Sequence, residues 1–136
     1  MVAKKRRVAL RECSVTSLTE KQRRIFVRLQ SQDGEYSLEH ECIPETEQQL
    51  LAATAQTTLD AICPVLNRPL TFKVLDLQLW SLGEPPQPFI TTLVEVDFGK
   101  NHMSLPGICN VYGSPIESAA KAALDAVNRV IELYLK

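Results

Sequence analysis

The feature that most constrains the fold is an internal repeat, because the two halves of the chain match each other in order and in position. One constant offset places the segment 55–62 on 120–127, and a slightly larger offset places 27–42 on 94–109. Two copies are too few for a solenoid, and each copy exposes an apolar sheet face and an apolar helix stripe. We therefore expect the copies to pair about a pseudo-twofold axis and to bury both surfaces in one core. The alternative is chance similarity between two amphipathic halves.

Each half contains three segments with the residue pattern of a β-strand. They are 8–16, 25–30 and 36–42 in the first half, and 70–82, 90–98 and 103–111 in the second. Asp33-Gly34 predicts a hairpin turn between the second and third segments. The proline-rich segment 83–88 predicts a loop, and Pro106-Gly107 indicates an edge strand or a bulge. On the fourth segment, one face is expected to carry Leu75, Leu77 and Leu79.

Each half ends in an amphipathic helix with a recognisable start. Thr46 and Gln49 have the spacing of a capping box, in which each side chain satisfies a backbone N–H group. Ser114 and Pro115 fit the N-cap and first position of the second helix. Apolar residues recur at spacings of three or four, namely Leu51, Ala55, Leu59, Ile62 and Leu66 in the first helix and Ile116, Ala120, Ala123, Val127, Ile131 and Tyr134 in the second. Small residues also line both helices and permit close packing, either on a sheet or against a second subunit: Ala52, Ala53, Ala55, Ala119, Ala120, Ala122 and Ala123.

These elements predict an α+β fold in which residues 1–136 form a single domain. The domain consists of two pseudo-twofold-related βββα units, at about 7–67 and about 70–136, with two long helices packed on the sheets.

Composition excludes several classes of protein. Apolar residues make up 45% of the chain and charged residues 23%, which is typical of a globular domain and not of a disordered one. No apolar run approaches the ~18–20 residues of a membrane span. The basic cluster near residue 5 is not followed by the apolar segment of a signal peptide. We therefore expect a cytoplasmic protein with no membrane partner, in which the four cysteines are buried thiols.

The net charge of −1 conceals an asymmetry along the chain. Residues 1–24 carry eight basic and two acidic side chains, whereas residues 25–136 carry seven basic and fourteen acidic ones. A basic face could therefore bind an acidic protein or nucleic acid, through Lys4, Lys5, Arg6, Arg7, Lys21, Arg23 and Arg24. Nucleic acid is disfavoured because the remainder of the chain is acidic and no aromatic residues are interleaved with the basic ones. The alternative is that these charges form ordinary solvated surface.

Two pairs of residues are candidates for catalysis or metal binding. His40 and Cys42 lie two residues apart on one strand face, a spacing that allows both side chains to bind one metal ion. A second pair of ligands is missing, so packing is favoured. His102 and Cys109 could act as base and nucleophile, but no residue can be singled out to orient the histidine. We therefore predict no catalytic residue, no metal site, no cofactor and no enzymatic activity.

The turn before the second helix is the best candidate for a small-ligand site. It contains Tyr112, Gly113 and Ser114, with Glu117 one turn into the helix. Glycine permits close backbone approach, and free N–H groups at a helix start attract a carboxylate or a phosphate. The alternative is that Ser114 only caps the helix and Gly113 only makes the turn.

The duplicated βββα pattern resembles the C-terminal regulatory domain of 2-isopropylmalate synthase and of the related citramalate synthases. The second half carries most of the resemblance, in its glycine turn at Tyr112-Gly113, its small-residue helix and the closing segment Ala126-Val127-Asn128-Arg129. The resemblance implies a regulatory domain that works as a dimer and senses an amino-acid-like effector. The catalytic barrel of those synthases needs ~250 residues, so the condensing chemistry is not expected here. The place of the first effector loop holds residues 44–49, which contain no glycine.

These observations predict a stand-alone, non-catalytic domain of the regulatory type. We expect it to form a homodimer and to bind a small carboxylate metabolite near the start of the second helix. The alternative function is that of an adaptor, which uses the basic N-terminal face to bind an acidic protein or nucleic acid.

Overall fold

Each half of the chain forms a meander of three strands followed by a helix. The computed structural model describes residues 8–32, 34–67 and 69–134. The first half contains β1 (Ala9–Ser17), β2 (Arg23–Ser31), β3 (Gly34–Cys42) and α1 (Glu47–Ile62), which a 3-10 turn at Cys63–Val65 prolongs. The second half contains β4 (Thr71–Leu82), β5 (Gln87–Asp97), β6 (His102–Asn110) and α2 (Pro115–Ile131). The predicted α+β class with two βββα units is confirmed. Asp33 of the predicted hairpin turn lies outside the described residues.

Both sheets are antiparallel and have their strands in chain order, β1-β2-β3 and β4-β5-β6. The repeat seen in the sequence is also a repeat of strand pairing. Val27 pairs with Leu38, and the offset that places Val27 on Val94 correctly gives the observed pair of Val94 with Leu105. The first strand of each sheet has one register irregularity against its neighbour.

The two units exchange contacts in a reciprocal way. Helix α1 packs on β2 and β3 of its own sheet and on β4 of the other unit. Helix α2 packs on β5 and β6 of its own sheet and on β1 of the other unit, and the two helices touch. One core therefore joins both halves, and its fully buried members include Val27, Leu59, Val94 and Val127. This reciprocity is what a pseudo-twofold relation between the units requires.

The helix starts follow the sequence signals. Thr46 accepts a hydrogen bond from the Gln49 N–H group at 3.1 Å, and the Gln49 side chain accepts one from the Glu45 N–H group at 2.7 Å. Ser114 accepts from the Ile116 N–H group at 3.3 Å, with Pro115 in the first turn. Both caps satisfy N–H groups that the helix itself leaves unpaired.

Strand β6 and helix α2 approach each other unusually closely at Gly107. A Cβ atom added there would lie 2.7 Å from the Ala126 nitrogen and 2.8 Å from the Ala126 Cβ, and closer still to the Ala122 carbonyl oxygen. The alanines of α2 at 119, 120, 122 and 123 are fully buried. The small-residue surface of α2 therefore serves packing within the chain. Gly107 itself lies in an edge strand that keeps its register, and the reason for a glycine there is the neighbouring helix.

Two details of the second sheet differ from the sequence prediction. The register irregularity of β4 falls between Val74 and Asp76. The irregularity removes Leu75 from the face of Leu77, which is buried, and Leu75 is exposed. Leu79 shares the face of Leu77, because it pairs with the buried Ile90, but it is also exposed, so the three leucines do not form one buried face. The predicted loop 83–88 is also shorter, because Gln87 pairs with Leu82 at the start of β5.

Candidate functional site

The predicted effector turn lies at the surface, directly after β6. Tyr112 is 86% exposed, and its hydroxyl accepts a hydrogen bond from the Asn110 side-chain amide at 3.3 Å. Gly113 has a φ of +86°, in the region that favours glycine. Glu117 pairs with Lys121 at 3.0 Å across one helical turn. Tyr112, Gly113 and Ser114 thus lie in one loop, with Glu117 in the first turn of α2, and Ser114 caps the helix.

A depression in the surface lies at the end of α2 opposite to the effector turn. It has a volume of about 750 Å³ and lies between residues 98–103 and the end of α2 at 130–134. Apolar side chains such as Met103 and Leu133 form its wall, and Lys100 and His102 lie at its edge. The C-terminal end of a helix carries a partial negative charge, which disfavours a bound anion. The helix terminus that attracts carboxylates and the cavity that suits an apolar side chain therefore lie at opposite ends of α2.

The basic face is only partly described, because Lys4, Lys5, Arg6 and Arg7 lie outside the described residues. Lys21 is exposed. The Arg23 guanidinium donates hydrogen bonds to the carbonyl oxygens of Thr19 and Glu20, at 3.0 and 3.3 Å. Arg24 forms an ion pair with Glu41 at 3.0 Å. In the described part of this face, Arg23 therefore closes a turn and Arg24 is neutralised.

The cysteines do not have the properties of nucleophiles. All four are free and half-buried. Burial raises the pKa of Cys13 to about 12, and the negative charge of Glu117 adds to the shift. Burial also raises the pKa of Cys42, Cys63 and Cys109. The thiols are therefore protonated at neutral pH, whereas nucleophilic attack and metal binding need the thiolate.

Neither of the two candidate His–Cys pairs is arranged as a catalytic or metal site in the described residues. His102 begins β6 and Cys109 lies near its end, so the extended strand between them holds them about 23 Å apart. His40 is exposed on β3, while Cys42 is half-buried. Within residues 8–32, 34–67 and 69–134, no three His, Cys, Asp or Glu side chains cluster as metal ligands.

The outer face of the β1–β3 sheet is charged. It is the face whose residues alternate with the buried Ile25, Val27 and Leu29 of β2. Besides the pair of Arg24 and Glu41, it carries Arg28, which lies 3.6 Å from Glu12 and 4.0 Å from Glu35. We call this surface the charged sheet face. Exposed ion pairs of this kind are ordinary solvated surface and contribute little to stability.

The outer face of the β4–β6 sheet carries an apolar patch, and sequence reasoning missed it. Residues 90, 92, 94 and 96 of β5 are buried toward the core, so residues 89, 91 and 93 point to the opposite side. Strand pairing aligns Trp80 with Phe89 and Pro106 with Leu93. The apolar sheet face is defined by Trp80, Leu82, Phe89, Leu93, Pro106 and Ile108. The rings of Trp80 and Phe89 stack with centroids 6.5 Å apart, and the Trp80 indole N–H donates to Thr91 at 2.8 Å.

Comparison with known proteins leaves the family open. No protein-family model matches the chain, and the search of curated proteins finds no match. Neither of the two described helices combines the length and the apolar content needed to cross a membrane.

Proposed function

We propose that this protein is a non-catalytic domain of the regulatory type, similar to the regulatory domain of 2-isopropylmalate synthase, which forms a homodimer and binds a small carboxylate metabolite. The observation that carries the proposal is the reciprocal packing of the two βββα units, in which each helix lies on the first strand of the other unit. The four protonated thiols and the separation of His102 from Cys109 also favour a binding role over a catalytic one.

The proposed regulation couples the effector turn to self-association. The turn follows β6 directly, and Val111 donates a hydrogen bond to the Pro88 carbonyl oxygen at 3.0 Å. Asn110, which pairs with Phe89 of the apolar sheet face, also binds the Tyr112 hydroxyl. A ligand that orders the turn therefore acts on the end of this face. If the ligand binds the dimer more tightly than the monomer, it shifts the equilibrium towards the dimer by the ratio of those affinities.

Titration calorimetry against branched-chain amino acids and 2-oxo acids tests effector binding. We expect saturable heat from at least one compound, and its loss in Tyr112→Ala. Tyr112 is almost fully exposed, so this change leaves the core intact. Leu133→Ala, which alters the depression at the other end of α2, is the matched control and should retain the heat. Heat from none of the compounds would remove the effector from the proposal, and loss only in Leu133→Ala would move the site to the depression.

The alternative function, an adaptor with a basic N-terminal face, stays a prediction. Its support is the net excess of six positive charges in residues 1–24. Binding to an acidic protein or to nucleic acid should then weaken steeply with salt. Deleting residues 1–7 and neutralising Lys21, Arg23 and Arg24 should abolish it. Retention of binding in that variant would reject the adaptor.

A further inference from the structure

The repeat provides an internal comparison between the two outer sheet faces. The offset that places Val27 on Val94 also places Arg24 on Thr91 and Glu41 on Ile108, and each pair is aligned across neighbouring strands. The same position in the fold therefore holds an ion pair in the first sheet and an uncharged pair with an exposed isoleucine in the second. The fold itself does not require apolar residues on this surface, so their presence in the second sheet needs another cause.

We infer that the apolar sheet face is the interface between two copies of this chain. The inference rests on the self-association in the proposed function and assigns it a surface. Side chains that a monomer would leave in water include Leu82, which is 63% exposed, Ile108 at 55% and Trp80 at 48%. Together with their neighbours they expose about 500 Å² of apolar surface, which lies in the range of ~300–600 Å² for the largest patches on monomers, often functional ones.

The area suits a second copy of the same surface. Two such faces packed together would remove about 1,000 Å² of apolar surface from water, before any polar rim is counted. This is close to the lower limit of about 1,000–1,200 Å² for a specific interface. Sheets pack face to face at a spacing of ~10 Å with interdigitated side chains, which apolar residues of this size can fill.

The shape of the apolar sheet face favours a twofold arrangement of the two copies. A hollow of about 200 Å³, lined by Asp76, Thr91, Thr92, Leu93 and Pro106, lies on the same sheet as the protruding Leu82. An isologous interface needs a protrusion and a hollow within one patch, so that each copy fills the other.

The distribution of charge favours the same arrangement. The charged residues of this face include Lys73 and Glu95, which are paired with each other beyond Leu93, towards the opposite end of β5 from Phe89. They also include Asp76, which pairs with Leu93 and whose carboxylate accepts hydrogen bonds from the Leu77 N–H group and the Gln78 side-chain amide. A twofold axis near Ile90, with the strands of the two copies antiparallel, sets Leu82 of one copy opposite the hollow of the other and leaves Lys73 and Glu95 outside the contact. Asp76 lies inside the contact and keeps the hydrogen bonds of its carboxylate within its own chain.

The test transfers the ion pair of the charged sheet face to the apolar one. The variant Thr91→Arg/Ile108→Glu reproduces the pair of Arg24 and Glu41 at the equivalent position, which the fold accommodates. By light scattering after gel filtration we expect wild type at about twice 15.2 kDa and the variant at 15.2 kDa. Dimerisation should weaken at least about tenfold, because charges in a dry interface lose hydration.

Two further variants test which sheet face forms the dimer interface. Thr16→Glu adds one charge to an edge strand on the charged sheet face, opposite Arg24, and should remain dimeric. Leu82→Arg changes an exposed residue at the end of β4 and should be monomeric, which keeps the test valid if the double variant does not fold. Trp80 is the only tryptophan, so its emission should shift to longer wavelength as wild type is diluted and dissociates.

The outcomes separate the inference from the proposed function. A monomeric wild type would overturn both the interface and self-association. A dimeric wild type whose Leu82→Arg and Thr91→Arg/Ile108→Glu variants also remain dimeric would overturn the interface alone. Dissociation by Thr16→Glu but not by Leu82→Arg would place the interface on the charged sheet face instead.

Discussion

Replacing Gly107 by alanine adds one methyl group at the closest approach between sheet and helix. The new Cβ would lie 2.7 Å from the Ala126 nitrogen, whereas ordinary contacts of this kind are 3.4–4 Å long. The obstructing atoms belong mainly to the backbone of α2, which cannot rotate away. The helix must therefore retreat from β6 by about 0.7 Å or more, and a gap of that size forfeits about a quarter to a half of each contact's dispersion energy.

The expected cost of Gly107→Ala follows from this displacement. Overpacking a well-packed core costs about 1–3 kcal/mol, and occasionally more. We expect about 3 kcal/mol, because α2 buries nine residues that move together. The melting temperature should fall by about 10 °C for a chain of this length. The backbone at Gly107 has no positive φ, so without the helix the same change would stabilise the chain by about 0.4–1 kcal/mol.

Urea unfolding followed by circular dichroism measures the effect. Ser104→Ala changes an exposed residue of the same strand and should alter the free energy of unfolding by less than about 0.5 kcal/mol. The sign of the change in the free energy of unfolding for Gly107→Ala decides whether α2 approaches β6 this closely. A variant that is as stable as wild type, or more stable, would refute the close approach of α2 to β6.

Three further changes test other parts of the structure, each by urea unfolding. Gln56→Leu should lower the free energy of unfolding by about 1–3 kcal/mol. The Gln56 side chain hydrogen-bonds the Phe72 carbonyl and the Val74 N–H group at the edge of β4, each at 2.8 Å. An unchanged midpoint of urea unfolding would contradict this role. Ser114→Ala should cost about 1 kcal/mol through loss of the helix cap, and no loss would mean that the cap is dispensable. Between pH 9 and 12 wild type should lose stability relative to Cys13→Ala, since the raised pKa of about 12 keeps this thiol protonated only in the folded state; parallel pH profiles would reject that assignment.

The order of elements could be predicted from the sequence because local signals agree with the tertiary structure. The alternation of Ile90, Thr92, Val94 and Val96 places these residues toward the core, and all four are buried. The capping signals at Thr46 and Ser114 also mark the observed helix starts. Local pattern suffices here because each strand has a single buried face and each helix has one apolar stripe.

Contacts between distant elements could not be predicted from these local patterns. The dipeptide Pro106-Gly107 indicates an edge or a bulge, and only the position of α2 explains the glycine. The leucines of β4 at 75, 77 and 79 follow a strict alternation, but the irregularity beside Asp76 removes Leu75 from the face that Leu77 and Leu79 share. A bulge depends on how a strand pairs with its neighbour, which periodicity within one strand does not reveal.

The apolar sheet face was missed for a related reason. Trp80, Phe89 and Ile108 come from three different strands, so no single segment of the sequence shows them together. Their proximity follows only from the register, which aligns Trp80 with Phe89 and Thr91 with Ile108. Comparison of the two repeats position by position, with Arg24 against Thr91 and Glu41 against Ile108, was a signal in the sequence that could have found it.

Sedimentation equilibrium of the wild-type chain tests self-association, on which the proposed regulation depends. The protein is centrifuged at concentrations from about 1 to 100 µM, a range that spans affinities typical of specific homodimers. We expect the mass to rise with concentration to about twice 15.2 kDa and to fit one monomer–dimer equilibrium. A mass that stays at 15.2 kDa throughout would contradict it.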